Sequence, residues 1–160
     1  MRVLAIDPGY GRLGLAVVEK NKGKEKLIYS ECFQTHSDDN FHMRLGLIGV
    51  RVRELIEKYN PDVFAIEDLF FSKNTKTALK VSESRGVVIF QAVDAGLSIY
   101  EYTPNQIKVA VTGYGKANKN DVYVMVKKLI DLGEGKKIDD EIDAIAIGLT
   151  FFASYKSAYT

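Results

Sequence analysis

Cysteine, tryptophan and histidine are scarce in this chain, and their scarcity excludes several kinds of site. Cys32 is the only cysteine in 160 residues, there is no tryptophan, and His36 and His42 are the only histidines. One thiol cannot form an internal disulfide, which suits a reducing compartment. A zinc site is not expected either, because proteins hold zinc mainly with Cys and His. We expect Cys32 to be a small, buried apolar residue.

Long apolar runs are also missing. No stretch approaches the roughly 18–20 apolar residues that a helix needs to cross a bilayer. At the N-terminus, Asp7 interrupts the apolar run Val3–Ile6 after only four residues, so the layout of a signal peptide is absent. The sequence therefore predicts a soluble protein of the cytoplasm, without contact to a membrane.

Positive and negative side chains nearly balance over the whole chain, but the positive charge is concentrated in one segment. The net charge is +1, whereas residues 73–128 contain nine Lys and Arg against four Asp and Glu, a local balance of +5. A segregated positive charge is typical of phosphate binding. Ordinary lysines on solvated helix faces would give the same count, so charge alone leaves both interpretations open.

Apolar periodicity and turn residues predict strands first and then an alternation of strands and helices. The predicted strands are residues 2–7, 13–18, 27–35, 62–67 and 98–102. The predicted helices are residues 41–59, 74–95, 121–132 (capped by Asp121) and 139 or 140 to 154, with a short helical turn at 104–111. A sheet that begins with a β-hairpin, followed by alternating strands and helices, indicates an α/β fold. We expect a mixed five-stranded sheet with helices on both faces. We see no domain boundary and expect residues 1–160 to form one domain.

Two carboxylates end predicted strands. Asp7 follows the apolar run Val3–Ile6, although Asp7-Pro8-Gly9 also makes a good turn by itself. Glu67 follows the apolar run Val63–Ile66, where a carboxylate is costly to bury unless it is paired or bound to a metal. The alternative for Glu67 is that the strand has already reached solvent.

Two more carboxylates open the last predicted helix. Asp140 and Asp143 are three residues apart, which places them on one face of the helix. Capping and the helix dipole explain Asp140 equally well. Asp143 borders the apolar stretch 144–149, which indicates a buried helix.

The four acids together suggest a metal site. Strand ends and a helix N-terminus of an α/β sheet can converge on one crevice, where four carboxylates would repel one another unless cations neutralised them. Oxygen ligands without His or Cys favour Mg²⁺ or Mn²⁺. Two such ions about 4 Å apart are a common arrangement for phosphodiester hydrolysis.

Short blocks along essentially the whole chain resemble the RuvC family of Holliday junction resolvases. The blocks are Ile6-Asp7-Pro8-Gly9 with Gly11 and Gly14, Ala65-Ile66-Glu67 with Phe70, Lys73 and Asn74, Ala78-Leu79-Lys80, Arg85-Gly86-Val87, Glu101-Tyr102 with Gln106 and Lys108, Gly113-Tyr114-Gly115-Lys116 with Lys119, and residues 140–147. Each block alone is weak evidence, but all of them occur in the family's order and spacing.

The resemblance implies an RNase H-like fold and a Mg²⁺-dependent DNA endonuclease, with Mn²⁺ as a substitute and two ions in each active site. It implies a homodimer that nicks two opposing strands of a four-way junction, matching the symmetry of the junction. The family's catalytic and metal-binding acids fall on Asp7, Glu67, Asp140 and Asp143. Some members have His in the position of Asp140, so this chain resembles the all-carboxylate type.

The resemblance also implies a DNA-binding surface. The family's junction-facing aromatic residue falls on Phe70, expected to stack on an unpaired base; packing at a strand end is the simpler alternative. The residues expected to bind DNA are Phe70, Lys73, Asn74, Lys80, Arg85, Lys108, Lys116 and Lys119. A branch-migration complex of the RuvA/RuvB type is a further candidate partner, and an apolar stripe of Leu79, Gly86, Val87 and Phe90 is a candidate dimer contact.

Three other functions compete with a resolvase. A RuvC-like RNase that processes structured RNA carries a Lys-Arg pair after its first Asp-x-Gly, where this chain has Gly-Tyr-Gly-Arg. An actin-like ATPase or sugar kinase also begins with Asp-x-Gly but needs two such domains. A non-catalytic junction-binding module would not need four acids.

Overall fold

Five strands form one mixed sheet in the computed structural model, which describes residues 1–69 and 75–155. The strands are β1 (Arg2–Asp7), β2 (Arg12–Asn21), β3 (Lys24–Gln34), β4 (Val63–Glu67) and β5 (Ser98–Tyr102), in the spatial order β3-β2-β1-β4-β5. The helices are α1 (Phe41–Tyr59), α2 (Thr75–Asp94), α3 (Pro104–Thr112), α4 (Lys119–Leu129) and α5 (Asp139–Ser154). The predicted α/β class and the five-stranded mixed sheet are confirmed.

The direction of the strands places two of the acids at one edge of the sheet. β1, β2 and β3 are antiparallel neighbours, whereas β4 runs parallel to β1 with Ile66 opposite Ile6. β5 is parallel to β4. The carboxyl ends of β1 and β4 therefore lie side by side, and these ends carry Asp7 and Glu67.

The strands bury alternate residues on the two faces of the sheet, because successive side chains point to opposite sides. Val3 and Ala5 of β1 belong to a core formed with α3, α4 and α5, while Leu4 and Ile6 belong to a second core formed with α1 and α2. Both faces of β1 are thus covered. This explains why residues 3–6 read as a continuous apolar run rather than an alternating one.

The segment after β5 differs from the prediction. The expected helical turn is a nine-residue helix, α3, with a capping box between Thr103 and Gln106 and left-handed Gly113 at its end. The next helix begins at Lys119, because the cap is Asn118 and not Asp121; the Asp121 side chain instead accepts a hydrogen bond from the Asn118 backbone N–H. Between β5 and Tyr155, the last residue described, the chain therefore forms three helices.

Four elements match their predicted bounds. β1 spans Arg2–Asp7, α1 spans Phe41–Tyr59, β5 spans Ser98–Tyr102 and α5 spans Asp139–Ser154, as predicted. Val87 of α2, part of the candidate dimer stripe, is partly buried and packs against the core near Gly49 of α1. The extent of a single domain over residues 1–160 stays a prediction.

Among the described residues, no helix has the length and apolar composition required to span a membrane.

Candidate active site

Helix α5 brings its first turn onto the sheet beside Asp7. A Cβ atom added to Gly14 of β2 would lie 2.1 Å from the carbonyl oxygen of Asp140 and 3.0 Å from the Cβ of Asp7. Only glycine leaves room for this approach of backbone to backbone. Further along the helix, Gly148 lies against Val18 in a similar way, with 2.8 Å between an added Cβ and the Val18 Cγ2. The small residues that the sequence shows in α5 and β2 therefore set how closely the acids can converge.

Three of the four predicted acids line one cleft. Asp7, Glu67 and Asp143 border a cleft of about 310 Å³ together with Lys108 and Lys119. The remaining lining residues are Pro104, Ile107, Val122 and Ile147. A largely apolar floor lowers the local dielectric constant, which strengthens every charge interaction in the cleft.

Burial and mutual repulsion raise the proton affinity of these acids. Burial, and then the charges of Glu67, Asp143 and Asp140, raise the pKa of Asp7 to about 8. Burial and the Asp143 charge raise the pKa of Glu67 to about 7, against the opposing effect of Lys119 and Lys108. Burial also raises the pKa of Asp143, opposed by Lys119. Carboxylates that destabilise one another in this way are a signature of a functional site.

Asp140 and Asp143 of α5 each contact one basic side chain of the protein. The Lys119 Nζ lies 3.4 Å from the Asp143 Oδ2. Asp140 forms an ion pair with Arg12 at the start of β2. Within the described parts of the chain, the carboxylates of Asp7 and Glu67 have neither a hydrogen bond nor an ion pair. Their oxygens are therefore available to a cation.

The four predicted carboxylates are suitable ligands for a hard divalent ion, although they do not converge on one point. Four carboxylates without His or Cys are the ligands that Mg²⁺ and Mn²⁺ prefer. Within residues 1–69 and 75–155, no group of three or more Asp, Glu, His or Cys side chains is already arranged to hold a metal ion. Asp140 and Asp143 each place their Oδ2 atom against a cation of the protein, Arg12 and Lys119 respectively.

Arg85 supports the end of β4 from α2. Its Nε donates to the Glu67 carbonyl oxygen at 3.3 Å, and its guanidinium pairs with Glu101 and, at 3.7 Å, with Asp68. Only 16 % of the Arg85 side chain is exposed. These contacts hold the backbone of Glu67, and a direct role of Arg85 in DNA binding stays a prediction.

The other predicted DNA-binding residues lie in different places. Lys108 and Lys119 border the acidic cleft, Lys116 is exposed in the loop between α3 and α4, and the Lys80 Nζ lies over the rings of Tyr10 and Phe41 at 5.5 and 5.2 Å. Lys80 borders a separate cleft of about 320 Å³ with Tyr10 and Lys76. Phe70, Lys73 and Asn74 lie outside the described residues, so their predicted roles remain predictions.

Sequence reasoning missed Arg12 and misjudged Cys32. Cys32 is only partly buried, and its Sγ donates to the Asp140 Oδ2 at 3.7 Å, so the expectation of a buried apolar residue is wrong. A hydrogen bond with Cys32 and the charge of Asp140 raise the pKa of Arg12. The signal that could have found both is the strand register, in which Gly14 lies opposite Cys32. The turn at Lys22-Gly23 and the register shift between Val17 and Val18 set that register, and apolar periodicity alone does not give it.

Comparison with known proteins decides the family. The family model described as crossover junction endodeoxyribonuclease RuvC matches residues 3–151. The chain belongs to the RuvC family. RuvC from Caldicellulosiruptor saccharolyticus is 45% identical over 158 residues, covering 98% of this chain and 95% of the relative. RuvC from Halothermothrix orenii is 44% identical over 156 residues, covering 98% and 94%.

Solved structures agree with the RuvC assignment. A T. thermophilus RuvC in complex with Holliday junction substrate has a TM-score of 0.88 at 37% identity, covering 95% of this chain and 93% of that one. A yeast mitochondrial Holliday junction resolvase has a TM-score of 0.70 at 14% identity, covering 94% and 77%, which shows the fold alone. The RNase H-like fold expected from the resemblance is confirmed.

Proposed function

We propose that this chain is a Mg²⁺-dependent endonuclease that resolves four-way DNA junctions by paired, symmetric nicks. The observation that carries the proposal is the meeting of Asp7, Glu67 and Asp143 in a cleft that also holds Lys108 and Lys119. Asp140 lies outside the cleft lining, near enough for its charge to act on Asp7. Membership in the RuvC family and the likeness to a RuvC bound to a Holliday junction substrate support it.

The acids Asp7, Glu67, Asp140 and Asp143 would hold two ions, Mg²⁺ by preference and Mn²⁺ as a substitute. Ions bound there would supply an activated water and stabilise the negative charge that develops on the phosphorus oxygens and the leaving 3′-oxygen. The raised pKa values of Asp7 and Glu67 support this role, because a divalent cation relieves the same repulsion as a proton.

The acids and the lysines of the cleft have different roles in binding a DNA strand. Ionised carboxylates repel a phosphate, so the phosphate to be cut approaches them more closely when cations have neutralised their charge. Lys108 of α3 and Lys119 of α4 offer positive charge at the same cleft and would hold the phosphates that flank the cut. We assign the reaction to hydrolysis without a covalent intermediate, with these two lysines orienting the strand.

The wider DNA surface is proposed from the resemblance and the placement of the described residues. Phe70 follows Glu67 by three positions and is proposed to stack on an unpaired base at the crossover. Lys80 and Lys116 are proposed to bind phosphates of the junction arms. Lys73 and Asn74 complete the proposed set. Arg85 joins it through its support of Glu67.

We propose that the protein acts as a homodimer that pairs through α1 and α2. Leu79, Phe90 and Val93 of α2 are 63%, 61% and 60% exposed, and Met43 of α1 is 65% exposed. Exposed apolar side chains on two packed helices are typical of a protein interface. A two-fold dimer would present two active sites to a junction of the same symmetry. A branch-migration complex of the RuvA/RuvB type is the further proposed partner, and the cytoplasm the proposed location.

The test is cleavage of a mobile synthetic four-way junction with Mg²⁺, beside a linear duplex and a structured RNA. Wild type and Asp7→Asn are compared, with junction binding measured separately in EDTA. We expect symmetric nicks on the junction only, lost in Asp7→Asn while binding is retained. Binding without cleavage in Mg²⁺ or Mn²⁺ would instead indicate a junction-binding module, and cleavage of RNA alone would indicate an RNase.

A further inference from the structure

Arg12 forms an ion pair with Asp140, one of the four predicted acids, from outside the cleft. It lies at the first position of β2, two residues before Gly14, and its guanidinium pairs with the Asp140 carboxylate. The Cys32 Sγ donates to the same Oδ2 atom of Asp140 at 3.7 Å. One carboxylate oxygen of Asp140 therefore has two partners within the protein.

Position distinguishes Arg12 from the other cations of the site. Lys108 and Lys119 line the cleft that Asp7 borders, whereas Arg12 and Asp140 do not. Arg12 approaches Asp140 from the sheet, beside the point where Gly14 lets α5 touch β2. About half of the Arg12 side chain is exposed (52%), so water can solvate the guanidinium when it separates from Asp140.

We propose that Arg12 is a positioning residue that holds the Asp140 Oδ2 in the metal-free protein and competes with a divalent ion for that oxygen. The inference rests on the proposed metal site. A carboxylate oxygen that already accepts from a guanidinium has less to offer a divalent ion, and the Arg12 charge repels that ion. Arg12 thus lowers the affinity of the site for the metal.

The test measures metal binding without DNA. Mn²⁺ is titrated into the protein, and free Mn²⁺ is followed by its electron paramagnetic resonance signal. The variants are Arg12→Ala, Arg12→Gln and Arg12→Lys. The matched control is Arg53→Ala, which removes the same charge from an exposed position of α1. Asp7→Asn identifies the Mn²⁺ bound at the active site. Thermal unfolding of each variant in EDTA verifies that it is folded.

We expect Arg12→Ala and Arg12→Gln to bind Mn²⁺ about three- to fivefold more tightly than Arg53→Ala, on the scale of one partly exposed ion pair. Arg12→Lys, which keeps the charge but loses the planar fork, should lie between them and wild type. Equal or weaker binding by both Arg12→Ala and Arg12→Gln would overturn this inference alone. If Asp7→Asn removed no Mn²⁺ binding from wild type, the proposed metal site and this inference would both fail.

Discussion

The carbonyl oxygen of Asp140 lies over Gly14, only 2.1 Å from where a Cβ atom of residue 14 would be. This contact between α5 and β2 sets the distances of Asp140 and Asp143 from Asp7. The helix cannot approach a strand residue of any other type so closely. Its consequences for stability and for the acids can be measured.

The first prediction concerns Gly14→Ala. The added methyl meets rigid backbone, so we expect the free energy of unfolding in urea to fall by about 2–4 kcal/mol, at and above the usual cost of overpacking. Gly148→Ala is the graded comparison, because its added Cβ meets a methyl of Val18 at 2.8 Å rather than backbone. It should cost less, about 1–2 kcal/mol, with part of the strain offset by the better helix propensity of Ala. Equal losses in the two variants would contradict this account of the crossing.

The second prediction concerns pH. The folded protein holds the Asp7 proton to about pH 8, far above the ordinary carboxyl value of 3.8. The folded state therefore binds more protons than the unfolded state between these values, and stability falls as the pH rises through this window. Asp7→Asn removes the effect. In EDTA, its stability advantage over wild type should widen by at least about 1 kcal/mol from pH 5.5 to pH 8.5. Urea unfolding at several pH values measures it; a constant difference would mean that Asp7 is not destabilised by its neighbours.

The third prediction concerns Lys119. Its Nζ lies 3.4 Å from the Asp143 Oδ2 and it borders the cleft of Asp7 and Glu67. We expect Lys119→Ala to lower the cleavage rate at saturating junction by at least about tenfold, and to reduce the salt dependence of junction binding by about one phosphate contact. Lys24→Ala, at the opposite end of the sheet, is the control. The same loss in Lys24→Ala would show a general effect of charge.

The fourth prediction concerns the proposed dimer. Phe90 is 61% exposed on α2, and Val93, also exposed, lies one turn further along the same helix. We expect Phe90→Glu to convert the dimer to a monomer in sedimentation analysis, because a carboxylate buried without a partner is costly. Val124→Glu on α4 places the same charge on another exposed apolar residue and should leave the dimer intact. A dimeric Phe90→Glu protein would exclude this surface as the interface.

The fifth prediction concerns Phe70, whose role was proposed from the resemblance. If Phe70 stacks on an unpaired base at the crossover, Phe70→Ala should bind the junction but cut it at least about tenfold more slowly, on the scale of one lost stacking contact. Phe70→Tyr keeps the ring and should stay near the wild-type rate. A wild-type cleavage rate in Phe70→Ala would contradict the stacking role and favour packing at the strand end.

The sequence by itself determined the class of the fold and most of its elements. α1 and β5 have their predicted bounds, because apolar spacing, Asn60 and the turn residues are local signals. Asp7 and Glu67 could be found as acids that end apolar strands. The family resemblance gave the proposed roles of the acids, which no periodicity reveals.

Only the tertiary structure decided which partners the acids have. That Arg12 and Cys32 contact Asp140, and that Lys119 contacts Asp143, depends on the register of β2 with β3 and on the packing of α5 against β2. Residues 12 and 140 are far apart in the chain, and no local pattern encodes their distance. The raised pKa values of Asp7 and Glu67 have the same origin, since burial and repulsion arise only when separate elements meet.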